Sequence, residues 1–136
     1  MKTNTSIQEV LEKFLQKLIV ERDVPGLLEL YAANVDWDIP GNTAVAPWVG
    51  SRSTKAEIAS FYEQLYTAVE PVSLDVRDRF FLDNKAIVTG RLASRIKKTN
   101  KIFDSEFTLH FTIENGLIIQ YRMLEDSYAL VLAATA

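Results

Sequence analysis

The chain reads as an α+β fold, and three observations predict it. The first half carries three amphipathic helical patterns, the second half carries four long strand patterns, and short turns rather than helices join those strands. Helices and strands that are segregated in this way belong to α+β architectures, whereas the α/β class alternates them. The expected sheet has one apolar face, which the helices must cover.

The first helix is expected to open with a capping box at Ser6 and Glu9, where hydroxyl and carboxylate each take a backbone N–H left unpaired at a helix start. Ile7, Val10, Leu11, Phe14, Leu15 and Leu18 then follow helical spacing. Asp23 and Pro25 restart a shorter helix through Leu27, Leu28 and Tyr31, since Asp caps and Pro fits a first turn. A short strand follows from Val35, carrying Asp36, Trp37 and Asp38, and Ile39-Pro40-Gly41 must turn the chain. A loop with Trp48 delivers it to a third helix, capped by Thr54 and Glu57 and burying Ile58, Phe61, Tyr62 and Leu65.

After Pro71 the pattern becomes that of strands, at 74–81, 86–97, 102–114 and 117–125. Their connections contain Asp83-Asn84-Lys85, Lys98-Thr99-Asn100 and Glu114-Asn115-Gly116. Asn-Gly is the strongest of these hairpin signals, because a type I′ turn needs positive φ at both central residues. Phe107, Leu109, Phe111 and Ile113 share one face of their strand, with Thr108, His110 and Thr112 on the other. The preceding strand divides likewise, Val88, Leu92 and Ile96 opposing Thr89, Arg91, Ala93 and Arg95. The tail from Tyr128 is small and apolar, suited to a last helical turn or a subunit contact.

With 136 residues, the chain is expected to form a single domain, 1–136, burying roughly two thirds of its unfolded surface. A net charge of −3 with scattered Lys and Arg gives no basic stripe, so no nucleic-acid partner is expected. The densest basic run, Arg95 to Lys98 with Lys101, reads as a solvated turn, with a phosphate patch as the alternative. The absence of cysteine excludes disulfides, thiolate nucleophiles and Cys-ligated zinc, and His110 is the sole histidine. Neither a metal nor a cofactor is expected, and no Gly-rich phosphate loop is present. The N-terminus lacks the apolar stretch of a signal peptide, and no window approaches the ~20 apolar residues that span a bilayer. A cytoplasmic protein without a membrane partner is the expectation.

The order of elements, together with Trp37-Asp38-Ile39-Pro40-Gly41, Pro47-Trp48-Val49-Gly50, Leu109-His110-Phe111-Thr112, Asn115-Gly116 and Arg122-Met123-Leu124-Glu125-Asp126, carries a resemblance. The chain resembles the SnoaL-like and ketosteroid isomerase-like branch of the nuclear transport factor 2-like superfamily over nearly its whole length. The resemblance implies a cone: a curved, mostly antiparallel sheet with three helices from the N-terminal half enclosing an apolar pocket. It places Asp38 where the isomerases keep a general-base aspartate. Their hydrogen-bond donors correspond to Phe14 and Leu109, neither of which can donate to an enolate oxygen. Loss of one such donor costs ~2.7–4 kcal/mol in catalysis, so steroid isomerisation is not expected. The Arg-x-Asp pair of the related epoxide hydrolases is replaced by Phe107-Thr108-Leu109. Asp126 and His110 match the aspartate and histidine of SnoaL-like cyclases, whose chemistry removes a proton beside a carbonyl.

Each candidate has a plainer alternative. Asp126 is either a pocket carboxylate or an exposed cap for the C-terminal turn. Asp38 alternates with Val35, Trp37 and Ile39, so it points away from the core if they face it, unless the turn kinks the strand. His110 is an acid/base group or a residue of the outer, subunit-contact face. Arg122 clamps an anionic ligand or pairs with a nearby carboxylate. The expected pocket wall comprises Phe14, Leu18, Trp37 and Phe61, with Phe107, Leu109 and Phe111 from the sheet. Trp48 is placed at the lip, and Tyr62 and Arg122 are counted among the ligand-contacting residues. The expected function is a cofactor-independent isomerase or cyclase acting on a small hydrophobic carbonyl compound, its base Asp126 or Asp38. A non-catalytic carrier and an interaction domain are the alternatives, and a homodimer through the outer sheet face is the expected assembly.

Overall fold

The computed structural model describes residues 2–136, with side chains from residue 7 onward. Helix α1 spans Lys2–Leu15. It therefore begins before Ser6, whose proposed capping side chain lies outside the described residues. A π-helical stretch, Gln16–Glu21, continues it until Arg22 adopts a left-handed φ of 50°. Asp23 then caps α2, Val24–Glu29, its Oδ1 accepting from the Gly26 N–H at 3.0 Å. The helix stops short of Tyr31, contrary to the reading of the sequence. Tyr31 opens strand β1, Tyr31–Ile39, where it is paired with Ile118, and a strand partner outcompetes helical spacing there.

A short strand β2, Gly50–Thr54, precedes helix α3, Lys55–Ala68. The expected capping box is formed: Glu57 N donates to Thr54 Oγ1 at 3.2 Å, and Thr54 N donates to Glu57 Oε1 at 3.1 Å. Four strands complete the sheet, β3 Val69–Leu82, β4 Lys85–Ile96, β5 Lys101–Glu114 and β6 Leu117–Glu125. Helix α4, Ser127–Ala134, ends the fold. The turns use left-handed residues where expected, with φ of 55° at Asp83, 62° at Asn100, 52° at Asn115 and 76° at Gly116.

The six strands are ordered β2-β1-β6-β5-β4-β3, antiparallel except for β1 beside β6. Register breaks in β3, between Pro71 and Ser73 and between Val76 and Asp78, help curve the sheet. Its concave face receives Leu11 and Phe14 of α1 and Ile58 and Phe61 of α3, all buried. The Phe14 ring meets Phe111 edge-on at 5.0 Å, and Trp37 stacks on Tyr121 at 5.3 Å with 14° between the planes. Gly90 leaves room for the Phe107 ring: a Cβ there would sit 2.7 Å from Phe107 Cζ. The basic run closes onto acceptors of this chain, Arg95 on Glu70 at 3.3 Å and Lys97 on the Tyr66 carbonyl at 3.2 Å.

Candidate functional site

The concave face is not filled. A cavity of about 330 Å³ lies between α3, the π-helical stretch and strands β3 to β6. Leu92, Phe103, Phe107, Leu109 and Met123 rise from the sheet to form its floor. Leu18, Phe61, Leu65 and Trp48 close it from above and from the side. Ile19, Arg22, Val72 and Leu74 are lining residues that also meet solvent, so they mark the mouth between the π-helical stretch and β3.

Few polar groups enter this wall. Glu125 is the only carboxylate among the described lining residues, accompanied by Tyr62, Tyr66 and Tyr121, by Ser73 and Ser94, and by Arg22 at the mouth. The position of Glu125 follows from register. Strands β5 and β6 pair Phe111 with Tyr121, Leu109 with Met123, and Phe107 with Glu125, so all six side chains share the concave face. Burial in this apolar setting raises the Glu125 carboxyl from its ordinary 4.5 to about 7, because desolvation disfavours the charged form.

The tyrosines are held by one another. The hydroxyls of Tyr31 and Tyr62 are 3.0 Å apart, and Tyr62 packs edge-on against Phe61 at 4.9 Å. Burial raises the Tyr31, Tyr62 and Tyr121 phenols above their ordinary value, so all three stay protonated near neutrality. Tyr121 also feels the Glu125 carboxylate, which opposes its ionisation further.

Trp48, Phe61, Tyr62, Phe107 and Leu109 line the cavity, whereas Phe14, Trp37 and Phe111 pack behind it as an aromatic layer against Tyr121. The remaining polar candidates lie elsewhere. Asp126 caps α4, its Oδ1 accepting from Ala129 N at 2.9 Å, and its side chain is exposed. Asp38 faces outward and accepts from Ser51 Oγ at 3.2 Å. His110 bonds Thr108 through Nε2 at 3.0 Å on the outer face, where the register sets it beside Arg122. Arg122 in turn pairs with Asp36 at 2.9 Å. Hence the structure brings together the aromatic candidates but not the three acid/base candidates. Glu125 and Tyr121 escaped the sequence reading, because their inward phase is set by a register shift in the β5–β6 pair. Alternation along β6 divides Tyr121, Met123 and Glu125 from Gln120, Arg122 and Leu124, and the register shift between Thr112 and Ile113 turns the first set inward.

Among the described residues no group of His, Asp and Glu is arranged to hold a metal ion, and no helix is long and apolar enough to cross a membrane.

Comparison with known proteins matches residues 11–121 to the model of the SnoaL-like domain. No curated protein matches the chain. Among solved structures, a nuclear transport factor 2-like protein from Burkholderia xenovorans LB400 superimposes with a TM-score of 0.85 at 22% identity, covering 96% of this chain and 97% of that one. A protein proposed to be an isomerase, from Rhodopseudomonas palustris, gives 0.79 at 23% identity over 92% and 95% of the two chains. TerC, crystallised with polyporic acid, gives 0.82 at 17% identity over 96% and 99%. At these identities the likeness is one of fold.

Proposed function

This chain belongs to the SnoaL-like domain family, and from that premise we propose that its cavity takes a small hydrophobic carbonyl compound and moves a proton on it. The observation that carries this reading is Glu125, a carboxylate in an apolar wall with its pKa raised to about 7. A general base works best when its pKa lies near the working pH, since it is then both available and strong enough to accept a proton. The step is simple to balance. Ionised Glu125 takes a proton from the carbon beside the carbonyl, the electron pair moves onto oxygen as an enolate, and the protonated acid returns the proton at the same or a conjugated carbon. This reading moves the base from Asp126 or Asp38 to the neighbouring inward position on β6.

The experiment follows exchange of the α-hydrogens of 1-tetralone into deuterium oxide by proton NMR, with and without the protein. The native chain is expected to accelerate exchange, and Glu125→Gln to lose about 10²–10⁴-fold of that acceleration. Unchanged exchange in Glu125→Gln removes the catalytic reading. The predominantly apolar lining favours a second reading, a carrier, in which 1-tetralone binds but never exchanges.

The outer sheet face supports a homodimer contact. Phe80, Ile102 and Leu124 are exposed on that face, which also carries His110 and the Arg122–Asp36 pair. Sedimentation giving a single monomeric species across micromolar concentrations argues against it.

A further inference from the structure

Of the seven arginines in the chain, six commit their guanidinium groups to acceptors of the same molecule. Five pair with carboxylates, and Arg52 donates to the Glu57 carbonyl. Arg22 has no such partner among the described residues. Its neighbours in the chain show why. Glu21 and Asp23 flank it, and both turn to Lys17 instead, at 3.8 and 3.4 Å. Asp23 is held further by its cap on the Gly26 N–H. The backbone at Arg22 is equally unusual. Among the described residues four non-glycines have positive φ, and three of these are Asp83, Asn100 and Asn115, whose short polar side chains suit the left-handed region. The fourth is Arg22, at φ 50° and ψ 44°, where a long side chain costs about 1–2 kcal/mol. Glycine would end the π-helical stretch without that cost. An arginine kept in this conformation points to a use for its side chain.

The place of Arg22 defines that use. Among the described residues it is the only cation lining the cavity, and it stands at the mouth, exposed to solvent. Burial raises the phenol of Tyr66, another lining residue, and the Arg22 charge opposes that rise. The rim around it is apolar, with Ile19, Val72 and Leu74 partly exposed. A charge set among apolar walls is screened less than one on open surface, so it attracts an anion more strongly. Deeper in the cavity an anion finds no counter-charge, since the one other charged lining group is the Glu125 carboxylate. A ligand with an apolar body and an anionic end therefore has one favourable orientation, body inward and anion at Arg22.

We infer that Arg22 is a specificity-determining residue that recognises a carboxylate at the mouth, and that the ligand class is an amphipathic acid. Such a ligand has a small apolar body for the cavity and a carboxylate at the end remote from the group that reacts. The planar guanidinium fork matches the two oxygens of a carboxylate. This deepens the function proposed above, on which the choice of ligand rests, by naming what the substrate carries besides its carbonyl.

The experiment compares 1-tetralone-6-carboxylate with its methyl ester, which has nearly the same shape and no charge. A cavity of roughly 150 Å³ accepts benzene, so two fused rings suit one of about 330 Å³. Affinities are measured by isothermal titration calorimetry at neutral pH, in low and in high salt. The native protein is expected to prefer the carboxylate to the ester about tenfold and to lose part of that preference in high salt. Arg22→Gln should abolish both the preference and its salt dependence. Arg22→Lys, which keeps the charge but not the fork, should retain a reduced preference. A purely structural role for Arg22 would move both affinities together and leave their ratio unchanged. If Arg22→Gln does not fold, Arg22→Asn, whose side chain suits the left-handed backbone, decides in its place. Equal binding of the two probes by the native protein, or a preference that survives loss of the arginine, overturns the Arg22 site. Exchange on uncharged 1-tetralone is measured separately, so the proton-transfer reading can stand when this one fails. If neither probe nor 1-tetralone enters the native protein, both readings fall.

Discussion

Replacing Glu125 by glutamine separates its burial from its charge. An unfolded glutamate titrates near 4.5, and burial in the fold moves the same group to about 7. Between these values the folded chain holds a proton that the unfolded chain has already released. Stability of the native protein therefore falls as pH rises from about 4.5 to about 7, then levels off with the charged carboxylate fully formed. Converted at about 1.4 kcal/mol per tenfold change, the rise amounts to about 3 kcal/mol. Water entering the mouth screens part of it, so the working range is about 1–3 kcal/mol. Glutamine carries no such cost. The advantage of the variant over the native protein should grow by about 1–3 kcal/mol from pH 5 to pH 8, equivalent to roughly 3–10 °C in melting temperature. Urea titrations at pH 5, 6, 7 and 8, extrapolated linearly, give both profiles. Parallel profiles, with no gain at pH 8, would refute the placement of a desolvated carboxylate in the cavity wall.

Other substitutions test the assignments around it. Asp126→Ala removes the cap of α4 and should cost about 1 kcal/mol in urea unfolding, with 1-tetralone affinity unchanged. Asp38→Asn, on the outward side of β1, should change stability by less than about 0.5 kcal/mol and leave α-hydrogen exchange intact. Gly90→Ala pushes a methyl group at the Phe107 ring and the Asp75 backbone, and should cost about 1–3 kcal/mol, read from the midpoint shift at constant slope.

The hairpin half of the fold could be read closely from the chain, since alternating residues and turn residues act over short range. Strands β4, β5 and β6 fall within a residue of their expected bounds, and Asn115-Gly116 turns as its positive φ values require. Strand β3 begins earlier than its pattern suggested, at Val69. Pro71 and two register breaks obscure the alternation, which an edge strand tolerates because its outer side has no ladder to lose. Strand β2 was not foreseen, for Gly50–Thr54 is short, polar and defined by its partner β1 rather than by its own residues. The site shows the same division. Aromatic residues announce a cavity wall by type alone, and Phe61, Phe107 and Leu109 could be named on that basis. The carboxylate could not, because Glu125 and Asp126 are adjacent, chemically alike and one step apart in strand phase. Only the register with β5 decides which of them looks inward.

The lone parallel pairing, β1 against β6, also governs when this molecule can assemble. Tyr31–Ile39 finds its neighbour in Leu117–Glu125, across nearly the whole intervening chain. As a nascent polypeptide leaves the ribosome, β1 and β2 emerge with one exposed edge and no inner partner until the last strand arrives. The meander of β3 to β5 can zip locally in the meantime, but joining the two parts must wait for a long loop to close. The cavity is built across that late seam, with Ile39 on one side and Tyr121 and Glu125 on the other. Ligand binding thus reports completed synthesis and closure, and a chain truncated before β6 should carry neither the pocket nor a shielded edge on β1.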